Sequence, residues 1–319
     1  MRSFPPDTAS AARILAGTAL LISFLAASPL AYSQDARFTT EVRVVTVLAT
    51  VRDRQGHLLN NLSKDDFILE EDGRLQTIRY FSQEANSNID IGLLVDTSRS
   101  QQRVFESERL ASYTFLDKVL REGQDLAFIM HFDVVVGLLQ KPTSSKALLA
   151  AALAQLSIPD RVNTLLYDAV RDAATETRNQ VGRKALVILS DGNDVGSTNS
   201  IATAIEYAQR SDVLIYGILF GPPRRYGHPA VMISRQMVLR AGRRTLQRLA
   251  TETGGRFFEV SNDHPLTAVY SEIEQELRSQ YSIGYLPDTD IGGAGYRRLY
   301  LAVKHKELVT QARAGYYAR

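Results

Sequence analysis

Five residues with oxygen-bearing side chains lie at three points where an apolar segment of the chain ends. They are Asp96, Ser98, Ser100, Thr164 and Asp191. The first three alternate within one short loop that directly follows the apolar residues 89–95. Thr164 opens a segment with helical spacing, and Asp191 directly follows the apolar residues 185–189. In an open α/β sheet, ligands bind at the carboxyl ends of the strands, so these positions predict a common site.

Two carboxylates and three hydroxyls are ligands that suit a small, hard divalent cation. Mg²⁺ is the first expectation, and Mn²⁺ or Ca²⁺ is possible. Neutral hydroxyls leave such an ion short of negative charge, which favours an additional anionic oxygen from outside the chain. A plainer interpretation is that Asp96, Ser98 and Ser100 only cap the helix that follows them.

Other kinds of chemistry have little support in the sequence. Cysteine is absent, which excludes disulfides, thiolate metal sites and a cysteine nucleophile. The phosphate-binding, dinucleotide-binding and serine-hydrolase glycine motifs are also missing. The five histidines are scattered without the spacing of metal ligands, and we expect them to be surface or packing residues away from the site. They are His57, His131, His228, His264 and His305.

Residues 89–277 alternate between short apolar runs and segments with helical periodicity. Runs such as residues 89–95 and 185–189 are typical of strands buried on both faces. This alternation predicts an α/β fold, a doubly wound and mostly parallel sheet with helices on both faces. Residues 221–242, which contain three prolines, are interpreted as a long loop before a helix at 243–253.

The flanking segments are rich in strand-forming residues. At residues 67–73 a strand enters an Asp-Gly turn, and residues 77–81 are expected to be the returning strand. Residues 34–86 and 279–319 each lack the apolar side chains for a core of their own. We therefore predict that they pack together as one small all-β unit beside a domain at 87–278.

The first 33 residues have the pattern of a signal peptide. Arg2 and Arg13 precede the apolar residues 14–27, and Ala31-Tyr32-Ser33 fits the small-x-small cleavage pattern. We expect a secreted or periplasmic protein with no membrane span after cleavage, and the alternative is an uncleaved anchor. The net charge of +2 gives no reason to expect a nucleic-acid partner.

The pattern Asp-x-Ser-x-Ser, then a Thr, then an Asp that ends a later strand, resembles the metal-ion-dependent adhesion site of von Willebrand factor A (VWA) domains. The resemblance implies that Ser98, Ser100 and, in the ligand-engaged state, Thr164 bind the ion directly. It also implies that Asp96 and Asp191 act mostly through water. Tyr281-Ser282-Ile283-Gly284-Tyr285 is similar to the segment that follows the VWA domain in exported, VWA-related proteins of acidobacterial type.

The expected function is metal-dependent binding of a protein partner, in adhesion or assembly, without catalysis. A carboxylate of the partner would complete the coordination of the ion. Two alternatives remain open: a structural or assembly factor whose metal site is not essential, and a metal-assisted hydrolase. The hydrolase would need a general base near the ion, and the sequence indicates none.

Overall fold

The computed structural model describes residues 44–83, 87–220, 229–287 and 295–318, with the backbone alone for 229–235. All of these residues lie within one compact unit. The predicted signal peptide, residues 1–33, lies outside the described residues, so cleavage and export stay predictions. No helix in the described ranges is long and apolar enough to cross a membrane.

Residues 44–83, the first described range, form four strands and one 3-10 turn. The strands are β1 (Val45–Arg52), β2 (Phe67–Glu71), β3 (Arg74–Leu75) and β4 (Ile78–Gln83).

The central region alternates strands with helices, as its sequence pattern predicts. In chain order the elements are β5 (Ile89–Asp96), α1 (Phe105–Val119), β6 (Leu126–Phe132), β7 (Val136–Thr143), α2 (Lys146–Ala154), α3 (Leu166–Glu176), β8 (Arg183–Ser190), α4 (Ile201–Arg210), β9 (Val213–Leu219), α5 (Pro229–Thr253), β10 (Phe257–Glu259) and α6 (Leu266–Arg278).

The carboxyl-terminal region returns to strands. They are β11 (Tyr281–Tyr285), β12 (Tyr296–Val303), β13 (Val309–Ala312) and β14 (Gly315–Tyr317).

The central sheet has the strand order β10-β9-β8-β5-β6-β7, and only β7 runs antiparallel to its neighbour. Every residue of β5 is buried, because helices cover both faces of the sheet. Ile91 and Leu93 pack towards α1, α2 and α6, whereas Leu94 packs towards α3, α4 and α5. The doubly wound, mostly parallel fold predicted from the sequence is therefore confirmed.

The flanking strands interleave in two four-stranded sheets, ordered β13-β1-β11-β4 and β14-β12-β2-β3. Strands from both ends of the chain occur in each sheet, and they share one apolar core with Val47, Leu69 and Ile283 at its centre. The predicted β unit from the two flanks is confirmed. The domain boundaries at 86/87 and 278/279 remain predictions.

One flanking strand differs from its prediction. The strand that returns after the Asp-Gly turn is only Arg74–Leu75, and Ile78–Gln83 pairs with β11 in the other sheet. The chain changes sheets there because Ile78 and Phe81 pack into the shared core, where the Phe81 ring lies 5.6 Å from the ring of Tyr281.

The predicted loop at residues 221–242 is also wrong, since α5 begins at Pro229. Proline is favoured in the first turn of a helix, where its missing N–H has no partner to lose. Residues 221–228 lie outside the described residues. Gly242, which suggested the end of a loop, lies within the helix.

Candidate metal site

The loop after β5 brings Asp96, Ser98 and Ser100 together. The Asp96 side chain is fully buried, and one of its oxygens accepts a hydrogen bond from the Ser98 backbone N–H at 2.9 Å. Its other oxygen accepts from the Ser190 hydroxyl at 2.6 Å. The hydroxyls of Ser98 and Ser100 lie 3.0 Å apart. This loop therefore presents a carboxylate and two adjacent hydroxyls at the carboxyl end of β5.

Asp191 begins the turn after β8, the strand that pairs with β5. The turn is closed by Asn193, whose backbone N–H donates to the Asp191 carboxylate at 3.1 Å. Gly192 has φ of +78°, a conformation that glycine adopts without steric cost. The side-chain amide of Gln101 links this turn to the first loop. When the amide is oriented so that both its nitrogen and its oxygen form hydrogen bonds, the oxygen accepts from the Asp191 backbone N–H at 3.1 Å.

Thr164 is joined to the same turn through the backbone. Its N–H donates to the carbonyl of Val195 at 3.0 Å, and the N–H of Val195 donates back to the Thr164 carbonyl at 2.9 Å. Asp168, on α3, holds the following residues by accepting from the backbone N–H groups of Thr198 and Asn199. All five predicted residues thus lie on three connected loops at one edge of the sheet.

The two carboxylates interact electrostatically. Burial, and then the negative charge of Asp191, raise the pKa of Asp96 to about 7. A raised pKa means that negative charge is unfavourable here without a cation. The carboxylates and the neighbouring hydroxyls fit a hard divalent cation, since they are the oxygen ligands that such ions prefer. The described residues contain no group of three or more His, Cys, Asp or Glu suited to a metal, so such an ion would depend on the hydroxyls.

Glu108, on α1, adds a third acidic group that sequence analysis missed. It is fully buried, and neither carboxylate oxygen has a hydrogen-bond partner among the described residues. Burial, with a smaller contribution from the charge of Asp96, raises its pKa well above the usual range. The helical spacing of Phe105, Ala111 and Phe115 would have placed this position on the buried face of α1, but a glutamate there gave no signal that it lies near Asp96.

His131 and Asp133 are two further residues that the sequence did not assign to the site. The Thr97 hydroxyl donates to the Asp133 carboxylate at 2.5 Å, and the His131 Nδ1 lies 3.3 Å from each of these groups. The Asp133 carbonyl accepts from Leu165 N–H, next to Thr164. The expectation that no histidine lies near the site is therefore wrong. His131 and Asp133 flank the end of β6, and the strand-end rule that selected Asp96 and Asp191 would have found them.

Helix α5 packs closely against the Asp191 turn at Gly242. A Cβ atom built on Gly242 would lie 1.9 Å from the carbonyl oxygen of Asp191, so only glycine fits at this crossing. A glycine inside a helix costs about 1 kcal/mol relative to alanine. Here the close approach of helix and turn requires it.

Replacing Gly242 with alanine should push the helix and the Asp191 turn apart. We expect a loss of about 1–3 kcal/mol in the free energy of unfolding, as for other overpacked sites, despite the better helix propensity of alanine. Urea denaturation measures this. Ala241→Gly exchanges the same two residue types at an exposed position of the same helix, so it measures the propensity difference of about 1 kcal/mol without the contact to the turn. A Gly242→Ala variant more stable than the wild type would show that the turn can move without cost.

No family model matches the chain. A UPF0353 protein of Mycobacterium tuberculosis is 27% identical over 217 residues, which are 61% of this chain and 63% of that relative's length. Among solved structures, proximal thread matrix protein 1 of the mussel byssus superimposes with a TM-score of 0.50 at 15% identity, over 65% of this chain and 51% of that one. The vWF domain of the pilus tip protein Mfa5 of Porphyromonas gingivalis superimposes with a TM-score of 0.44 at 12% identity, over 59% and 94%.

The mostly parallel strand order, with helices on both faces of the central sheet, agrees with the likeness to proximal thread matrix protein 1. The chain has the doubly wound α/β fold that its sequence predicts. The α/β region carries the candidate site on its β5, α3 and β8 loops, and the role of the five residues as metal ligands remains a prediction.

Proposed function

We propose that this protein is an exported, non-enzymatic binding protein whose VWA-type site holds one divalent ion, Mg²⁺ before Mn²⁺ or Ca²⁺. A bound ion would supply an open position for an anionic oxygen. The proposal depends chiefly on the buried Asp96 carboxylate, which lies close enough to Asp191 for each charge to oppose the other, with the hydroxyls of Ser98 and Ser100 adjacent.

The residues of the chain have distinct parts in this proposal. Ser98 and Ser100 would contact the ion, and Asp96 and Asp191 would balance its charge, mostly through water. Backbone hydrogen bonds to Val195 hold Thr164 in place. The turn after β8 therefore sets where the Thr164 hydroxyl lies relative to a bound ion. The partner is a protein that supplies an Asp or Glu carboxylate to the ion. The attraction between this carboxylate and the cation is stronger where water is partly excluded.

Capture of partners from the native cell envelope should depend on Mg²⁺ or Mn²⁺ and should be lost in EDTA. We expect Thr164→Ala to weaken capture at least tenfold while leaving the fold intact, because it removes one hydroxyl and keeps the backbone bridge to Val195. The measurement is affinity purification with quantitative mass spectrometry on wild type and variant. Thr175→Ala, on the exposed face of α3, is the control.

Two results would point to the alternative functions. Capture that is insensitive to EDTA would favour a structural or assembly factor whose metal site is not essential. Metal-dependent hydrolysis that is abolished by Asp191→Ala would favour an enzyme, for which His131 and Asp133 would be the nearest candidates for a base.

A further inference from the structure

Three valines are exposed on three different loops around the candidate site. Val135, Val162 and Val195 are 54%, 71% and 53% exposed. Exposed single valines are common on protein surfaces, but a group of apolar side chains beside a binding site indicates a contact surface.

Backbone hydrogen bonds connect the three loops around Thr164. Val195 forms the two-way bridge with Thr164, and Val162 lies two residues before Thr164 in the chain. Val135 closes a turn with Asp133, whose carbonyl accepts from the N–H of Leu165. The loops that carry the three valines are therefore connected to Thr164 by the chain or by backbone hydrogen bonds, and their spacing depends on the same hydrogen bonds that build the site.

Two arginines contribute positive charge to this surface. Arg99, between Ser98 and Ser100, and Arg161, next to Val162, are both exposed. Neither forms an ion pair within the described part of the chain. Arg248 on α5, by contrast, is paired with Glu252. Unpaired positive charge beside the site complements an acidic partner and would accelerate its encounter.

We propose that Val135, Val162, Val195, Arg99 and Arg161 form a recognition rim for a protein segment whose metal-binding carboxylate is flanked by apolar side chains. The inference rests on the proposed function, because the carboxylate is placed by the ion. The apolar flanks of the segment would cover the valines, and further acidic residues of the partner would face the two arginines. A nucleic acid would satisfy the arginines but would leave the valines uncovered.

The test uses the full mature chain and a displayed peptide library with a fixed central glutamate and random neighbours. Selection in Mg²⁺ should enrich aliphatic or aromatic residues next to that glutamate, and selection in EDTA should not. The double variant Val162→Ser/Val195→Ser should lose this enrichment and should bind a selected peptide about a hundredfold more weakly, roughly tenfold for each valine. The control is Val181→Ser, which removes a 99% exposed valine just before β8, at the opposite edge of the sheet.

The rise in melting temperature with Mg²⁺, measured on every variant, separates the two proposals. If Mg²⁺ stabilises the wild type and the double variant alike and only the variant loses the apolar preference, the rim is supported. Three other results would overturn the rim and leave the metal site standing, provided that Mg²⁺ still stabilises the wild type. The selected peptides have polar flanks, no Mg²⁺-dependent peptide is recovered, or a short single-stranded DNA binds instead. If Mg²⁺ does not stabilise the wild type, the proposed function fails, and the rim fails with it.

Discussion

Replacing Asp96 with asparagine should abolish the stabilisation that Mg²⁺ confers on the wild-type protein. An ion present at a hundredfold its dissociation constant stabilises the native state by about 2.7 kcal/mol. For a domain of this size that is a rise of roughly 5–10 °C in melting temperature. Asparagine keeps one oxygen for the bond from the Ser98 backbone N–H, and its amide NH2 can donate to the Ser190 hydroxyl, but it removes the charge that the ion needs. Thermal unfolding with and without Mg²⁺ measures the effect.

The matched control is Glu122→Gln, which also changes one carboxylate to an amide. Glu122 is exposed in the turn before β6, at the opposite edge of the sheet. This variant should respond to Mg²⁺ as the wild type does. Equal responses of the wild type and the Asp96→Asn variant would show that the ion binds elsewhere.

In buffers freed of divalent ions, the free energy of unfolding should fall as the pH rises from about 4 to about 7. In the folded protein the pKa of Asp96 is about 7, above the ordinary value of 3.8, because the group is buried near Asp191. Between these two values the folded state holds a proton that the unfolded chain has released, so raising the pH favours unfolding. The expected loss is on the order of 4 kcal/mol, from the size of the pKa difference.

Urea unfolding at pH 4 and pH 8 measures this loss, and the Asp96→Asn variant should show far less of it. Burial also raises the pKa of Glu108, so part of the slope should remain in that variant. Asp125 does not mask the effect, because hydrogen bonds from Arg121 and Arg278 lower its pKa, and its contribution is lost only in more acidic solution. If wild type and variant lose stability equally, the Asp96 carboxyl is not the group that titrates.

Mg²⁺ should reduce this fall in stability as the pH approaches neutrality, because binding requires the ionised form of Asp96 and so lowers its pKa in the folded protein. The rise in melting temperature caused by Mg²⁺ should therefore be larger at pH 8 than at pH 5. The same variants measured at both pH values test the metal assignment and the titration together.

The sequence by itself predicted the central architecture and the five-residue site. Strands such as β5 and β8 are continuous apolar runs, because a strand covered by helices on both faces has no polar side to present. The position of Asp96 and Asp191 at the ends of these strands follows from the order of residues alone. Parallel neighbours end at the same edge, so the two aspartates had to be close once β5 and β8 were paired.

Only the tertiary structure revealed how the site is supported. Gly242 ends the loop predicted from the sequence, but it lies within α5, where the helix crosses the Asp191 turn too closely for a side chain. Ile78–Gln83 resembles a hairpin return, yet it joins the other sheet, because its apolar side chains complete a core built from both ends of the chain. Glu108 gave no local signal that it lies near Asp96, whereas the position of His131 and Asp133 at the end of β6 was a signal for the same sheet edge. The residue pattern within one helix or strand predicts which of its faces is buried. Which other elements pack against that face is decided by contacts between residues that are distant in the chain.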